Sequence, residues 1–149
     1  MKIGARVQEH MRHMMEERVA FNHLLGLTIV SFDVEAPQVR FDMRPELLGN
    51  PARRILHGGV ISSTLDVAAG LAIMVKLIHA AGPETKPTEF PDIGTIDLRV
   101  DYLRPGRGTH FIATGRVVRM GKRIAVTHME LVNDAAALIA TGSAAYVVG

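Results

Sequence analysis

The chain contains no cysteine. Disulfides, thiolate nucleophiles and cysteine-based metal sites are therefore excluded. Tryptophan is absent too, and aromatic residues make up only 5% of the 149 positions. A core has to be filled by aliphatic side chains and by the eight methionines. The formal net charge is +2, with acidic and basic residues interleaved rather than blocked. The basic stripe with stacking rings that a nucleic-acid binder needs is missing. The longest uninterrupted apolar run lies between Asp66 and Lys76, far short of the ~20 residues of a membrane span. The opening MKIGARVQEHMRHMMEER has no apolar signal core. These absences leave one domain over residues 1–149, a cytoplasmic enzyme or binding protein with no nucleic-acid and no membrane partner. Its small basic clusters suit a small anionic ligand.

The patterning supplies a fold class. Ile3, Val7, Met11, Met14, Phe21 and Leu25 recur at helical spacing, which predicts an N-terminal helix within residues 1–25, ended by Gly26. His10 and His13 lie one turn apart there, with His23 nearby; exposed helix histidines are the ordinary reading, and no metal site is expected. LTIVSFDV and QVRFDM read as two strands around Glu35-Ala36-Pro37. Residues 59–81 carry no proline and exceed strand length, which predicts a long buried helix. Residues 82–94 hold three of the seven prolines and read as a loop. TIDLRVDYL alternates, with Ile96, Leu98, Val100 and Tyr102 on one face and Thr95, Asp97, Arg99 and Asp101 on the other. RPGRG reads as a turn, and three further strands complete an antiparallel meander. The class is α+β, with one antiparallel sheet wrapping the long helix because nothing else in the chain covers it.

Several catalytic signatures fail. GRVVRMGKR has its glycines one residue too far apart for a phosphate loop, and Arg123 stands where a metal-binding hydroxyl belongs. No nucleophile elbow and no paired-histidine zinc motif occurs. What survives is NPARRILHGGVISSTLDVAAG, residues 50–70. Gly58 and Gly59 let a ligand approach bare amides at the entrance to the long helix, where unpaired N–H groups favour negative charge. An oxyanion forming on a carbonyl is stabilised by such a corner. Asp66 lies about two turns further in, among Ser62, Ser63, Ala69 and Gly70, all small. The rise from Gly59 to Asp66 is roughly 10 Å at ~1.5 Å per residue. One chain's carboxylate therefore does not reach a carbon held at its own glycine corner, and the site is expected to form between two protomers. The competing reading makes His57 a helix cap, the glycines a turn and Asp66 a structural hydrogen-bond partner.

HGGVISSTLDVAAG, preceded by Asn50 and followed by GTIDLRVDYLRPGRG, resembles the hotdog-fold acyl-CoA thioesterases of the PaaI-like group, and within it the YigI-type medium- and long-chain enzymes. The similarity runs from about Phe21 to Gly149. It implies a hotdog fold, one sheet around a central helix with an additional N-terminal helix, and hydrolysis of acyl-CoA to free acid and CoA without a cofactor. By position it makes Asp66 the general base or nucleophile, the Gly58 amide the oxyanion donor aided by Asn50, His57 a holder of substrate or water, and Thr95 a water-positioning hydroxyl. Gly59 and Ser63 become substrate contacts. Since CoA carries phosphates, Arg104, Arg107, Lys122 and Arg123, with Arg53 and Arg54, become candidate contacts. Phe21, Val60, Ile61 and the loop around Phe90 become candidates for the acyl tunnel. The resemblance also implies a homodimer with two interface sites, often paired into a homotetramer.

Two alternatives stand beside hydrolysis. A hotdog hydratase or dehydratase acting on acyl thioesters is disfavoured by the HGG-then-Asp order. A non-catalytic acyl-CoA sensor normally adds a DNA-binding segment, and the N-terminal helix here is single and not notably basic.

Overall fold

The apolar run beginning at Gly58 folds as one helix, α3 (Gly58–Ala81), 24 residues long, starting one residue earlier than the pattern indicates. It is the centre of the computed structural model, which describes residues 2–85 and 92–149. Leu65, Ala68, Ala69, Leu71, Ile73 and Val75 are fully buried along it. By length and composition this helix suits a membrane crossing. Here it is the core: a six-stranded antiparallel sheet covers it. The strands are β1 (Thr28–Ser31), β2 (Gln38–Asp42), β5 (Gly94–Tyr102), β6 (His110–Met120), β7 (Ile124–Asn133) and β8 (Leu138–Val147). Their order across the sheet is β1-β2-β6-β7-β8-β5. Alternation puts Val39, Phe41, Phe111, Ala113, Met129, Leu131 and Ala144 against the helix. Phe41 and Phe111 are cross-strand partners and stack at 5.2 Å, which gathers two of the five Phe at one point.

Helix and sheet approach closely at Gly115 of β6, where an added Cβ would lie 2.2 Å from the Ala68 carbonyl oxygen. That approach is why β6 needs a glycine.

The fold departs from the sequence pattern in four places. First, the meander covers only β6, β7 and β8, because β5 pairs with β8 at the far edge and β6 pairs with β2. RPGRG is the crossover that allows this. Its Gly106 lies against Leu56, whose N–H donates to the Gly106 carbonyl at 3.0 Å, so the chain passes beside the start of α3 instead of turning back. Second, two short strands, β3 (Leu48–Asn50) and β4 (Ile55–Leu56), pair just before α3. They are too short to leave a periodic signal. Third, the N-terminal helix is broken into α1 (Ala5–Arg12), a π-helical stretch His13–Arg18 and α2 (Ala20–Leu25), with Val19 extended between the last two. Packing explains the break. Glu16 accepts from the Ile29 N–H at 2.7 Å and Arg12 donates to the Ile29 carbonyl, so both groups of one β1 peptide pair are claimed by the widened turn. Asn22 reaches back to the Met15 carbonyl at 3.1 Å. Gly26 closes α2 at φ 71°, as its position suggests. The strand hairpin turns at residues 33–36, slightly earlier than Glu35-Ala36-Pro37. Asp33 Oδ1 accepts from the N–H groups of Glu35 and Ala36, and these bonds hold its carboxyl below the usual range.

Gly115→Ala is expected to destabilise by about 1–3 kcal/mol through overpacking. Gly4→Ala, with nothing within 4 Å, is expected to be neutral. Denaturant unfolding of the two variants checks this; equal midpoints contradict the close-contact account.

Candidate active site

His57 is the N-cap of α3. Its extended backbone (φ −62°, ψ 135°) turns the chain into the helix, and Nδ1 accepts from the Gly59 N–H at 2.7 Å. With Nδ1 as acceptor, the neutral ring carries its proton on Nε2. The capping role does not consume the Gly58 N–H, which has no hydrogen-bond partner among the described residues. Tyr102, at the end of β5, lays its ring against Gly58 and donates its hydroxyl to the Gly58 carbonyl at 3.1 Å. An added Cβ at Gly58 would sit 3.3 Å from that ring, and one at Gly49 only 2.6 Å from the His57 Cα. The corner is therefore fixed from both sides. It leaves one helix N-terminal donor available beside a partial positive dipole end.

Asp66 lies on α3 facing the opposite end of β5, half-buried. Its Oδ1 accepts from Thr95 Oγ1 at 2.9 Å and from the Tyr146 hydroxyl, which is also 2.9 Å from the Asp66 carbonyl oxygen. Thr95 reaches this position only because β5 carries a bulge. Thr95 pairs with Tyr146 and Asp97 with Ala145, which leaves Ile96 unpaired and 52% exposed. The extra residue reverses the parity of the strand's start. Thr95 thus joins Leu98 and Val100 on the helix side, whereas strict alternation places it with Asp97, Arg99 and Asp101. Ile96 correspondingly leaves the face assigned to it. Asp97 turns outward to accept from the Ala145 N–H at 3.0 Å.

The remaining candidates divide between the two ends of the sheet. Asn50 lies in β3 beside the corner, and its Oδ1 accepts from the Arg53 N–H at 3.2 Å, bracing the turn that carries Arg53 and Arg54. His57, Gly59, Ser63 and Val60 open onto a cleft of about 440 Å³ whose apolar wall includes Phe21, Leu24, Leu25 and Leu47. Ile61 is buried and turns to a second cleft of about 330 Å³ with Gly58, Tyr102 and Arg104. Arg104 donates to the Leu138 carbonyl at 2.8 Å, and Arg107 is exposed nearby. Lys122 and Arg123 are exposed at the other end, on the β6–β7 connection; next to it, Ile124 and Gly94 both register with Val147. Phe90 lies outside the described residues. Among the described residues no cluster of His, Asp and Glu has a metal-binding arrangement. His13 instead meets Glu17 at 3.2 Å.

Sequence reasoning missed Tyr146, and it assigned Tyr102 only to a strand face. The available signal was scarcity. The chain has two tyrosines; buried Tyr146 needs a partner for its hydroxyl and bonds the carboxylate, while exposed Tyr102 bonds the glycine corner.

Comparison with known proteins shows the family to which this fold belongs. The thioesterase superfamily profile matches residues 54–140. The chain is 43% identical over 139 residues to the medium/long-chain acyl-CoA thioesterase YigI of Escherichia coli K12, covering 91% of this chain and 90% of that protein. Among solved structures, a Shewanella oneidensis protein related to the thioesterase superfamily superposes with a TM-score of 0.85 at 41% identity, covering 97% of each chain. The E. coli PaaI protein of the phenylacetic acid degradation operon superposes at 0.78 with 23% identity over 97% of this chain and 95% of that one, a likeness of fold.

His57→Ala is expected to lose about 1 kcal/mol of stability through the missing cap, and His57→Asn to recover most of it. Thermal unfolding of the pair measures the structural share of His57. An alanine variant as stable as the parent contradicts the capping role.

Proposed function

The chain belongs to the thioesterase superfamily, and from that premise we propose that it hydrolyses acyl-CoA thioesters of medium to long chain to the free acid and CoA. The observation that carries this reading is the pair of half-sites on one helix: a Gly58 N–H at its start, without a partner among the described residues, and the Asp66 carboxylate two turns on. In this reading the thioester carbonyl oxygen sits on the Gly58 N–H, backed by the helix dipole, where the developing oxyanion is stabilised. Asp66 takes a proton from water as the water oxygen bonds to the carbonyl carbon, or attacks that carbon itself. Collapse of the tetrahedral intermediate breaks the C–S bond; on the second route it leaves a mixed anhydride with Asp66, which water then hydrolyses to the free acid and the regenerated carboxylate. The leaving thiolate belongs to a thiol with a pKa near ~8.5, so departure needs little protonation and no third catalytic group. The 440 Å³ cleft beside His57 supports an apolar acyl chain, with Phe21 and Leu24 of α2 forming its outer wall. Arg104 and Arg107, or Lys122 and Arg123, supply cations for the CoA phosphates.

The two half-sites are completed by a homodimer. β5 is an edge strand of nine residues, and Ile96, Tyr102 and Leu103 are 50–55% exposed on or just beyond it. Such an edge invites pairing with a second chain. Antiparallel pairing of β5 with its own copy about Leu98 brings the Thr95 end of one strand to the Tyr102 end of the other. Since Thr95 marks Asp66 and Tyr102 marks Gly58, this places one protomer's carboxylate beside its partner's glycine corner. A tetramer built from two such dimers and a cytoplasmic location complete the proposal.

Two substitutions test the roles. Asp66→Asn is expected to abolish thiol release from acyl-CoA with fold and dimer retained; normal hydrolysis sinks the mechanism. Gly58→Pro removes the N–H at the first helical position, where proline is tolerated, and His57 already has the extended backbone that a following proline requires. It is expected to lower kcat by about 10²–10³. Gly58→Ala meets the same Tyr102 ring but keeps the donor, and is expected to retain far more activity. Equal losses in the two variants contradict the oxyanion role.

A further inference from the structure

Tyr146 has a place in this site that neither the family resemblance nor the motif spacing assigns. It is 3% exposed on β8 and is the direct cross-strand partner of Thr95. Both hydroxyls point at the same carboxylate oxygen, Asp66 Oδ1. Oδ2 accepts from no described residue. Among the described residues no buried side-chain polar atom is left without a partner, so the partnerless Oδ2 is open to its surroundings. We propose that Tyr146 is a positioning residue for Asp66: together with Thr95 it occupies Oδ1, holds the carboxylate plane, and directs Oδ2 toward the incoming water or carbonyl carbon. This rests on the reading of Asp66 as the reacting carboxylate.

The division of labour follows from hydroxyl chemistry. Each hydroxyl donates once and can accept twice. With its proton committed to Asp66, Thr95 keeps lone pairs free to accept from a water that itself donates to Oδ2. Tyr146 brings no such water, because it is enclosed. Burial first, and then the bond to Asp66, push its hydroxyl pKa well above the ordinary tyrosine value, so it remains a donor throughout the working range. Across the helix-facing sides of β2, β5, β6, β7 and β8, the only other described ionisable group is Tyr102, at the Gly58 end. The immediate neighbours of Asp66 on α3, Ser62, Ser63, Ala69 and Gly70, carry no charge. Two neutral donors on one oxygen are thus what holds the carboxylate here.

The experiment compares Tyr146→Phe with the parent enzyme on one acyl-CoA, and solves the variant's crystal structure. The expected result is a fall in kcat of about tenfold or more, as for a lost hydrogen bond to a charged group, with KM unchanged. A purely structural role would lower the unfolding temperature and leave kcat of the folded enzyme in place. Parent-like kcat in Tyr146→Phe overturns the proposal. Should Asp66→Asn remain active, the assignment of the reacting group falls, and the crystal structure still decides the positioning role. A carboxylate swung away from Thr95 in Tyr146→Phe supports it, and one that keeps Oδ1 on Thr95 ends it.

Discussion

Gly58 and Asp66 stand on the same helix, about 12 Å of rise apart, and a helix neither stretches nor folds back. That separation organises the molecule. An oxyanion donor at the helix start and a carboxylate two turns along cannot converge on one carbon within a single chain. The proposed site is therefore a property of two helices brought side by side. The sheet serves this end twice. Its concave face buries α3 so closely that Gly115 meets the Ala68 carbonyl. Its edge strand β5 runs past both half-sites, with a tyrosine bonded to one and a threonine bonded to the other.

A carboxylate inside an apolar helix is tolerable only if its charge is met. Here two neutral hydroxyls meet it, at one oxygen. A fully buried ion pair would have to recover two desolvation penalties and would hide the group from a substrate. Hydroxyl donors add no second charge to desolvate and leave one carboxylate oxygen outward. Thioester hydrolysis suits such sparse equipment, because the leaving group departs as a stable thiolate.

Much of the fold was legible from periodicity. The long helix, the hairpin before it and the three final strands follow from pattern length and from breakers such as Gly26. What escaped has local physical causes. The bulge at Ile96 moved Thr95 to the helix side, and no alternation rule anticipates one extra residue in a strand. The π-helical stretch His13–Arg18 arises because Arg12 and Glu16 bond Ile29 in β1, a tertiary demand that helical spacing does not encode. β5 left the meander because RPGRG is anchored on Leu56. At the site, the glycine corner at Gly58 and the lone carboxylate Asp66 were legible from residue chemistry, the role of Thr95 came from a family likeness, and Tyr146 was invisible until strand register set it against Thr95. His57 illustrates the reverse: its capping of α3 is a plain structural function, and any further part in catalysis is additional to it.

The central claim, that one protomer's Gly58 works with its partner's Asp66, is tested most directly by mixing two inactive variants. Gly58→Pro and Asp66→Asn homodimers are unfolded together, refolded at equal concentration and assayed for thiol release. If the site spans the interface, each mixed dimer holds one intact pair, and random reassortment restores about a quarter of parent activity. If both groups act within one chain, every site in the mixture carries a defect and activity stays at the level of the separate variants.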